Sequence, residues 1–289
     1  MTAEVWLQER ERLVRLAYRL LGSVAEAEDV VSEAYLRLRR AGAEGGTIHE
    51  PAAWLTTVSV RLALDVLRSA RQRRETYVGS WLPEPLATEG DPADEVALAE
   101  SLSMALLVVL ETLSPLERAV FVLHEIFAFD HPSIATMLDR SEPAVRQTAR
   151  RARAHVAARR PRFEPDRDRR TEVAHRFMAA CAGGSVSALV EVLSADVVMT
   201  SDGGGVVTAA RKPVEGRDRV VGFLTGLLAL ATGLETFRLA EVNAAPAVLI
   251  LEDGVLTGVY GLHVTDGRIV AIHAVRNPAK LTRLLERLG

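Results

Sequence analysis

The first 160 residues carry apolar and polar positions that repeat with the period of an α-helix. Apolar residues in segment 5–21 recur on one face, and Gly22 ends that pattern. A second helix follows directly, and a third is predicted after Pro51. Helical periodicity resumes over 96–160. The pattern therefore predicts two all-α domains in this part of the chain.

The pattern changes at about Thr171. Two short helices are followed by strand-like runs such as VVMTS and AVLILE, with a further helix in GRDRVVGFLTGLLAL between them. Asp266–Gly267 separates the last two runs and indicates a hairpin with a two-residue turn. The C-terminal part is therefore predicted to be an α+β domain.

Two polar segments that contain proline divide the chain, and both have the composition of linkers. The first linker spans 76–95 and the second spans 163–170. The predicted organisation is a helical domain over 1–75, a second helical domain over 96–162 and an α+β domain over 171–289. A length of 289 residues is consistent with more than one domain.

Composition narrows the class of protein. Hydrophobic residues make up 48% and charged residues 25%, and the net charge is −3, so a nucleic-acid surface requires local clustering of basic residues. Cys181 is the only cysteine, which excludes an intramolecular disulfide and a zinc site built on cysteines. No cofactor or metal is expected. The charged N-terminus is not a signal peptide, and the longest uncharged run, 220–234, is shorter than the roughly 18 residues of a membrane span, so a cytoplasmic protein is expected.

The stretch SEPAVRQTARRARAHV has the form of the second helix of a helix-turn-helix. It follows the apolar helix HPSIATML and a short DRS turn, and its arginines lie opposite a face of small apolar residues. The N-terminal residues are predicted to read base edges: Ser141, Glu142, Ala144, Val145, Arg146 and Gln147. Three further residues are predicted to contact phosphates: Arg150, Arg151 and Arg153. The alternative is an arginine face that only meets solvent.

A second basic cluster lies at the end of the third predicted helix, where one acid, Asp65, stands among five arginines: Arg61, Arg68, Arg71, Arg73 and Arg74. Two basic helices favour a DNA-binding protein with two contact points. The second helix instead carries an acidic stripe of Glu26, Asp29 and Glu33 beside Leu36. That surface is suited to a protein partner or is simply solvated.

Residues 5–160 resemble the extracytoplasmic-function (ECF) sigma factors of bacterial RNA polymerase. The segment that resembles region 2.2 is AEAEDVVSEAYLRL. The segment that resembles regions 2.3–2.4 is WLTTVSVRLALDVLRSARQRR. The segment that resembles region 4 is LSPLERAVFVLHEIFAFDHPSIATMLDRSEPAVRQTARRAR. The resemblance implies a transcription initiation factor, not an enzyme, that binds core polymerase through the β′ clamp and the β flap. It implies clamp contacts by Glu26, Asp29, Glu33 and Leu36. It implies −35 recognition by the helix-turn-helix and −10 recognition by Trp54, Thr57, Arg61, Asp65, Arg68, Arg71, Arg73 and Arg74. Ser32 and Arg61 replace the Gln and Asn that are common in this family.

Three further motifs resemble the sigma-J-like subgroup, which carries a SnoaL-like C-terminal extension folded as a cone-shaped α+β barrel. The motifs are WLPEPL in the linker, DGGG and NPAKL. The resemblance implies that the extension regulates the factor in cis through Trp81, Leu82, Pro83, Glu84, Pro85, Asp202, Gly203, Gly204, Gly205, Asn277, Pro278 and Lys280. Exposed Trp–Leu in a linker is costly, which favours docking of 81–86 on the C-terminal domain or on the polymerase.

Chemistry in the C-terminal domain is the rival interpretation. A two-residue turn at Asp266–Gly267 pairs Tyr260 with His273 on one face and places His263 on the other. Such a pair suits acid–base work on a small-molecule ligand, as in a SnoaL-like isomerase or cyclase, or it is a hydrogen-bonded core pair. A ligand-responsive helix-turn-helix regulator is a further alternative, but it leaves the acidic helix and the second basic cluster unexplained.

Overall fold

The computed structural model describes residues 2–43, 48–88, 103–159, 166–229 and 235–288. Parts of both predicted linkers, and the start of the predicted 96–162 domain, lie outside the described residues. The chain forms two compact units: Met1–Glu75 with Val109–Arg160, and Thr76–Val108 with Pro161–Gly289. The described residues between 76 and 108 thus group with the C-terminal residues.

The first unit begins with three packed helices, α1 (Thr2–Leu21), α2 (Val24–Ala43) and α3 (Pro51–Glu75). Gly22 has a φ of +69°, a left-handed conformation that glycine adopts without strain, and it separates α1 from α2. The apolar faces of the helices meet in a core in which Leu16, Val31 and Leu55 are buried. The helical periodicity thus predicted these elements correctly.

Further short helices follow along the chain, with ends set by polar caps, and all of them belong to the first unit except residues 104–108, which belong to the second. These are α4 (Met104–Glu111), α5 (Pro115–Phe121) with a π-helical turn at Val122–Ile126, α6 (His131–Leu138) and α7 (Glu142–Arg159). Ser114 and Glu117 form a reciprocal capping box at the start of α5. Asp130 caps α6, which ends at Asp139 in the left-handed conformation with a φ of +52°.

The second unit is an α+β domain, as predicted. Helices α8 (Arg167–Ala182) and α9 (Val186–Val192) precede β1 (Leu193–Asp202), β2 (Val214–Glu215) and α10 (Arg217–Ala229). Strands β3 (Glu235–Val242), β4 (Ala245–Glu252), β5 (Val255–Thr265) and β6 (Arg268–Val275) follow, and α11 (Pro278–Leu288) ends the fold. The strands are ordered β2-β1-β6-β5-β4-β3, and β1 and β6 run parallel. The pairing shifts register at three places, and such irregularities bend a sheet.

Each face of the sheet has its own apolar core. Phe177 of α8, Leu224 of α10 and Tyr260 of β5 lie in the cluster on one face. The cluster on the other face includes Leu82, Met104 and Leu281. The second face is therefore covered by α11 together with residues that precede the α+β domain in sequence.

The predicted Tyr260–His273 pair is wrong. The turn at Asp266–Gly267 is present, but the pairing shifts by one residue next to His263, so that Tyr260 lies opposite Ala274 and His273 lies opposite Gly261. Because side chains alternate across a strand, this bulge places Tyr260 and His273 on opposite faces of the sheet. His263 and His273 share one face instead, and both are buried.

Candidate nucleic-acid interface and a buried carboxylate network

Helix α7 has a buried face and a basic exposed face. Thr148, Ala149, Ala152 and Val156 are buried, and they allow the helix to pack closely on α5 and α6. The exposed face carries five of the predicted DNA-contacting residues: Arg146, Gln147, Arg150, Arg151 and Arg153. Ser141 is also exposed, while Glu142 and Ala144 are half-buried. This face has the shape and charge of a helix that enters a major groove.

Val145 does not belong to that exposed face. Its side chain is only 2% exposed and packs in the core of the unit. It therefore supports the helix and cannot meet base edges, which corrects its place among the predicted reading residues.

Three of the exposed arginines of α7 are held by neighbouring carboxylates. Arg146 bonds to Glu142, one turn earlier, and Arg153 bonds to Glu125 at 2.6 Å. Arg151 lies 3.6 Å from Glu117. Exposed pairs of this kind contribute about 0–1 kcal/mol, so phosphate oxygens can replace the carboxylates at little cost.

The basic cluster on α3 is divided between solvent and the protein. Arg68 is exposed and pairs with Asp65 at 3.0 Å, while Trp54 and Thr57 are half-buried. Arg61 donates from Nε to the Met137 carbonyl at 2.8 Å and from a terminal nitrogen to the Thr136 carbonyl at 3.2 Å. These carbonyls end α6, where a cation is favourable. Arg61 thus joins α3 to the helix-turn-helix. The side chains of Arg71 and Arg73 lie outside the described residues.

Arg74 is half-buried in a charged network. It pairs with Glu111 and donates to the Leu21 carbonyl at 2.8 Å, and burial lowers the pKa of its guanidinium. Arg118 pairs with the other oxygen of Glu111 and donates to the Arg19 carbonyl at 3.2 Å. Arg74 is therefore a structural residue in this arrangement, which corrects its assignment to DNA. Sequence reasoning missed Glu111 and Arg118, whose only signal was two charges inside an apolar helical pattern.

The acidic surface of α2 is only partly exposed. Asp29 is exposed, Glu26 is half-buried, and Glu33 pairs with Arg37 at 2.9 Å. Leu36 is 45% exposed beside them. The surface thus combines carboxylates with an exposed apolar side chain.

The second unit contains a fully buried carboxylate, Asp202, at the end of β1. Its Oδ1 accepts from the Tyr77 hydroxyl at 2.6 Å and from the Gly204 amide at 3.0 Å. Its Oδ2 accepts from the Leu82 amide at 2.9 Å and from Lys280 Nζ at 2.7 Å. A buried carboxylate is stable only with such compensation. The four donors come from three separate parts of the sequence: residues 77–82, Gly204 and Lys280.

The partners of Asp202 also bind one another. Lys280 donates to the Leu82 carbonyl and lies 4.0 Å from the centre of the Trp81 ring, a cation–π contact. Asn277 donates to the Tyr77 hydroxyl at 2.9 Å. Burial, and then the bond to Asp202, raise the pKa of the Tyr77 hydroxyl above its usual range. The motifs WLPEPL, DGGG and NPAKL thus meet at one place, which we name the Asp202 network: Tyr77, Trp81, Leu82, Asp202, Gly204, Asn277 and Lys280.

Close packing explains the glycines after Asp202. A Cβ on Gly203 would lie 2.4 Å from the Val207 carbonyl oxygen, and one on Gly204 would lie 2.6 Å from the Asn277 side chain. Gly204 and Gly205 also have φ values of +66° and +72°. Pro83, Glu84 and Pro85 are buried, whereas Pro278 is exposed.

A second contact fixes the same segment to the edge of the sheet. Leu86 and Asn243 bond reciprocally, with the Leu86 amide donating to Asn243 Oδ1 at 3.1 Å and the Asn243 amide donating to the Leu86 carbonyl at 2.8 Å. Ala87 forms an antiparallel bridge with Val242. Sequence reasoning missed Tyr77 and Asn243. The available signal for Tyr77 was its aromatic side chain four positions before Trp81.

The described residues place no group of three or more His, Cys, Asp or Glu side chains in reach of one metal ion. Cys181 is buried, and burial raises the pKa of its thiol to about 12. Among the helices described, none is long and apolar enough to cross a membrane.

Comparison with known proteins agrees with this architecture. Sigma-70 region 2 matches residues 6–74, and Sigma-70 region 4 matches residues 103–156. The ECF RNA polymerase sigma factor SigJ of Mycobacterium tuberculosis is 41% identical, over 94% of this chain and 91% of its own length. The probable ECF sigma factor SigI of that species is 37% identical, over 98% and 96%. The crystal structure of M. tuberculosis SigJ has a TM-score of 0.77 and 37% identity, with 98% of both chains covered.

A helical bundle, a helix-turn-helix and matches to Sigma-70 regions 2 and 4 define a sigma factor of the Sigma-70 class. The chain belongs to the ECF RNA polymerase sigma factors. It is a transcription initiation factor and not an enzyme, and its family implies RNA polymerase and promoter DNA as partners. The alternatives of a helix-turn-helix repressor and of an isomerase or cyclase are therefore not supported.

Proposed function

We propose that this sigma factor directs core RNA polymerase to promoters under the control of its own C-terminal domain. The observation that carries the proposal is the Asp202 network. It binds residues 77–82, which follow α3 directly, to the α+β domain. These residues belong to the connection between region 2 and region 4, so their docking restricts the connection on which two-point promoter contact depends.

The promoter contacts in this proposal follow the exposed side chains. The −35 element is read by the exposed face of α7, chiefly Arg146, Gln147 and Arg150. The −10 element is bound by α3, through Trp54, Thr57 and Arg68, and by Arg61 once it leaves the α6 carbonyls. Arg74 is excluded from this set because it is half-buried and paired with Glu111.

Polymerase docking is assigned to α2 and its surroundings. Asp29 and the exposed Leu36 are suited to a partner surface that is both basic and apolar, and we assign this role to the β′ clamp from the family resemblance. Contact of region 4 with the β flap is proposed from the family alone. Charge reversal of Asp29 to Lys is expected to weaken assembly with core polymerase, measured by native gel shift, while the same change at Asp65 on α3 leaves assembly intact.

The decisive test of cis control is transcription in vitro with core polymerase and the full chain carrying Asp202→Asn. The amide keeps the shape of the carboxylate but presents an NH₂ group to donors and leaves Lys280 without its counter-ion. Breaking one partner of a buried ion pair costs about 3–5 kcal/mol, enough to release the docked segment. We expect initiation to change several-fold at promoters selected with the same holoenzyme.

The matched control is Asp253→Asn. Asp253 lies in the exposed turn between β4 and β5 with a φ of +50°, which Asn also tolerates. It should leave transcription unchanged. Equal output from both variants, with Asp202→Asn still folded by near-ultraviolet circular dichroism, would contradict cis control through this network.

A further inference from the structure

The second unit contains a cleft of about 320 Å³ beside the Asp202 network. One side is formed by Val78 and Gly79, and the other by segment 206–211 together with Gly203 and Gly205. The two sides are close: a Cβ on Gly205 would lie 3.2 Å from Val78 Cβ. This volume is at the lower end of the roughly 300–1,000 Å³ typical of small-molecule sites.

A polar group of the lining lacks a partner. Ser201 is only 2% exposed and lines the cleft, and its hydroxyl makes no hydrogen bond to any described residue. A buried hydroxyl without a partner costs about 1–3 kcal/mol, so such groups normally bind water, an ion or a ligand. Ser201 therefore offers an unused hydroxyl donor to an occupant of the cleft that reaches it.

The charge and polarity of the lining define the class of that molecule. Arg211 lines the cleft and is exposed, and within the described part of the chain its side chain forms no ion pair or hydrogen bond. None of the lining residues is acidic, and most of the accessible lining surface is polar, although five of the lining side chains are apolar: Val78, Val206, Val207, Ala209 and Ala210. An arginine and a hydroxyl donor in a mainly polar cleft are complementary to the carboxylate of a small organic acid.

We propose that this cleft is a binding site for a small organic carboxylate, with Arg211 pairing with the carboxylate and Ser201 donating a hydrogen bond. The proposed binding site depends only on the geometry of the cleft and not on the proposed function. Its regulatory consequence rests on the proposed function, because Val78 and Gly79 lie between Tyr77 and Trp81, and an occupant that contacts them stabilises the docked segment.

The test is isothermal titration of the full chain with benzoate, hexanoate and indole-3-acetate as probes. We expect at least one to bind at a single site with a Kd of about 1 mM or tighter. The matching uncharged amide should bind at least about 10-fold more weakly, because a charge-assisted bond to Arg211 is lost. Saturable binding by none of the three probes, or equal binding of acid and amide, would overturn the site.

Variants locate the binding. Arg211→Gln removes the cation at an exposed position and should weaken the bound probe at least about 10-fold, and Ala210→Leu should abolish binding by filling the cleft. Arg219→Gln, at an exposed arginine of α10 outside the lining, is the matched control and should bind as the parent does. Binding that survives both cleft variants would place the probe elsewhere and overturn the assignment.

The regulatory link has its own measurement. The bound probe should shift transcription by the parent in the direction opposite to Asp202→Asn, and it should have no effect on the Arg211→Gln holoenzyme. Unchanged transcription at saturating probe would overturn the link to segment docking, whereas the titration decides the site independently.

Discussion

Single residues at the end of β1 determine how closely the chain segments of the second unit approach. Gly204 adopts a φ of +66°. Its missing side chain also leaves room for Asn277, since a Cβ on Gly204 would lie 2.6 Å from the Asn277 side chain. Gly204→Ala therefore adds strain and a clash within the Asp202 network. We expect a loss of roughly 1–3 kcal/mol in the free energy of unfolding, measured with urea.

Gly222 provides the matched control for that substitution. It lies in α10 with open space around its missing Cβ, so Gly222→Ala should stabilise the helix by about 0.5–1 kcal/mol. Equal effects of the two substitutions would mean that the packing around Gly204 has no energetic weight.

His273 makes the stability of the second unit depend on pH. Burial, with His263 nearby, lowers its pKa from 6.5 to about 4. The unfolded chain therefore binds the proton more tightly, and stability that is complete above pH 6.5 is lost as pH falls toward 4. The loss amounts to about 3 kcal/mol. His273→Gln should remove this part of the pH dependence in denaturation at several pH values, while His175→Gln, at an exposed histidine, should retain it.

At this scale, the resemblance to the sigma-J-like subgroup was the successful guide from sequence. The three motifs around Trp81, Asp202 and Lys280 were assigned together, and they meet in one network. Sequence reasoning failed for Arg74, because a basic residue at the end of a basic helix gives no indication of an acid 37 positions later in a separate helix. Burial of a charge depends on its partner, and the partner is found only in the fold.

At the scale of elements, helix periodicity and caps were predictable and strand register was not. The Asp266–Gly267 turn was predicted correctly, yet one extra residue in β6 near Val270 shifts the pairing of Tyr260 and His273. A bulge needs no special residue type, so the local sequence does not reveal it. The predicted acid–base pair failed for this reason alone.

The exposed face of α7 carries residues predicted to contact phosphates and residues predicted to contact bases, and substitutions of Arg150 and Gln147 distinguish the two roles. Arg150→Ala removes one cation from that face, so the slope of log affinity against log salt should become shallower by about 0.9 for holoenzyme on promoter duplex. Gln147→Ala should leave the slope unchanged and relax preference at one −35 base pair. Fluorescence anisotropy at several salt concentrations measures both. An unchanged slope in Arg150→Ala would remove Arg150 from the phosphate contacts.

At the scale of the whole molecule, each compact unit contains a carboxylate that joins segments distant in sequence, half-buried in the case of Glu111 and fully buried in the case of Asp202. Glu111 joins Arg74 and Arg118 in the first unit, and Asp202 joins Tyr77, Leu82 and Lys280 in the second. The residues that follow α3 belong to the second unit, while α5 to α7 belong to the first. The chain thus passes from one unit to the other and back.

Because the two carboxylates share no partner among the residues that the structure describes, their energetic contributions should be independent. Glu111→Gln leaves the buried Arg118 and the half-buried Arg74 without their carboxylate and should cost the first unit about 3–5 kcal/mol, while Glu125→Gln, at the exposed partner of Arg153, should cost less than about 1 kcal/mol. Combined with Asp202→Asn, the effect of Glu111→Gln should add to within about 0.5 kcal/mol.

Hydrogen exchange of amides in α5 and in β6 follows each unit separately, which matters because a chain with two units need not unfold in one step. If Glu111→Gln accelerated exchange in β6 as strongly as in α5, the two networks would be coupled, and release of the docked segment would also loosen the helical unit that carries the promoter contacts.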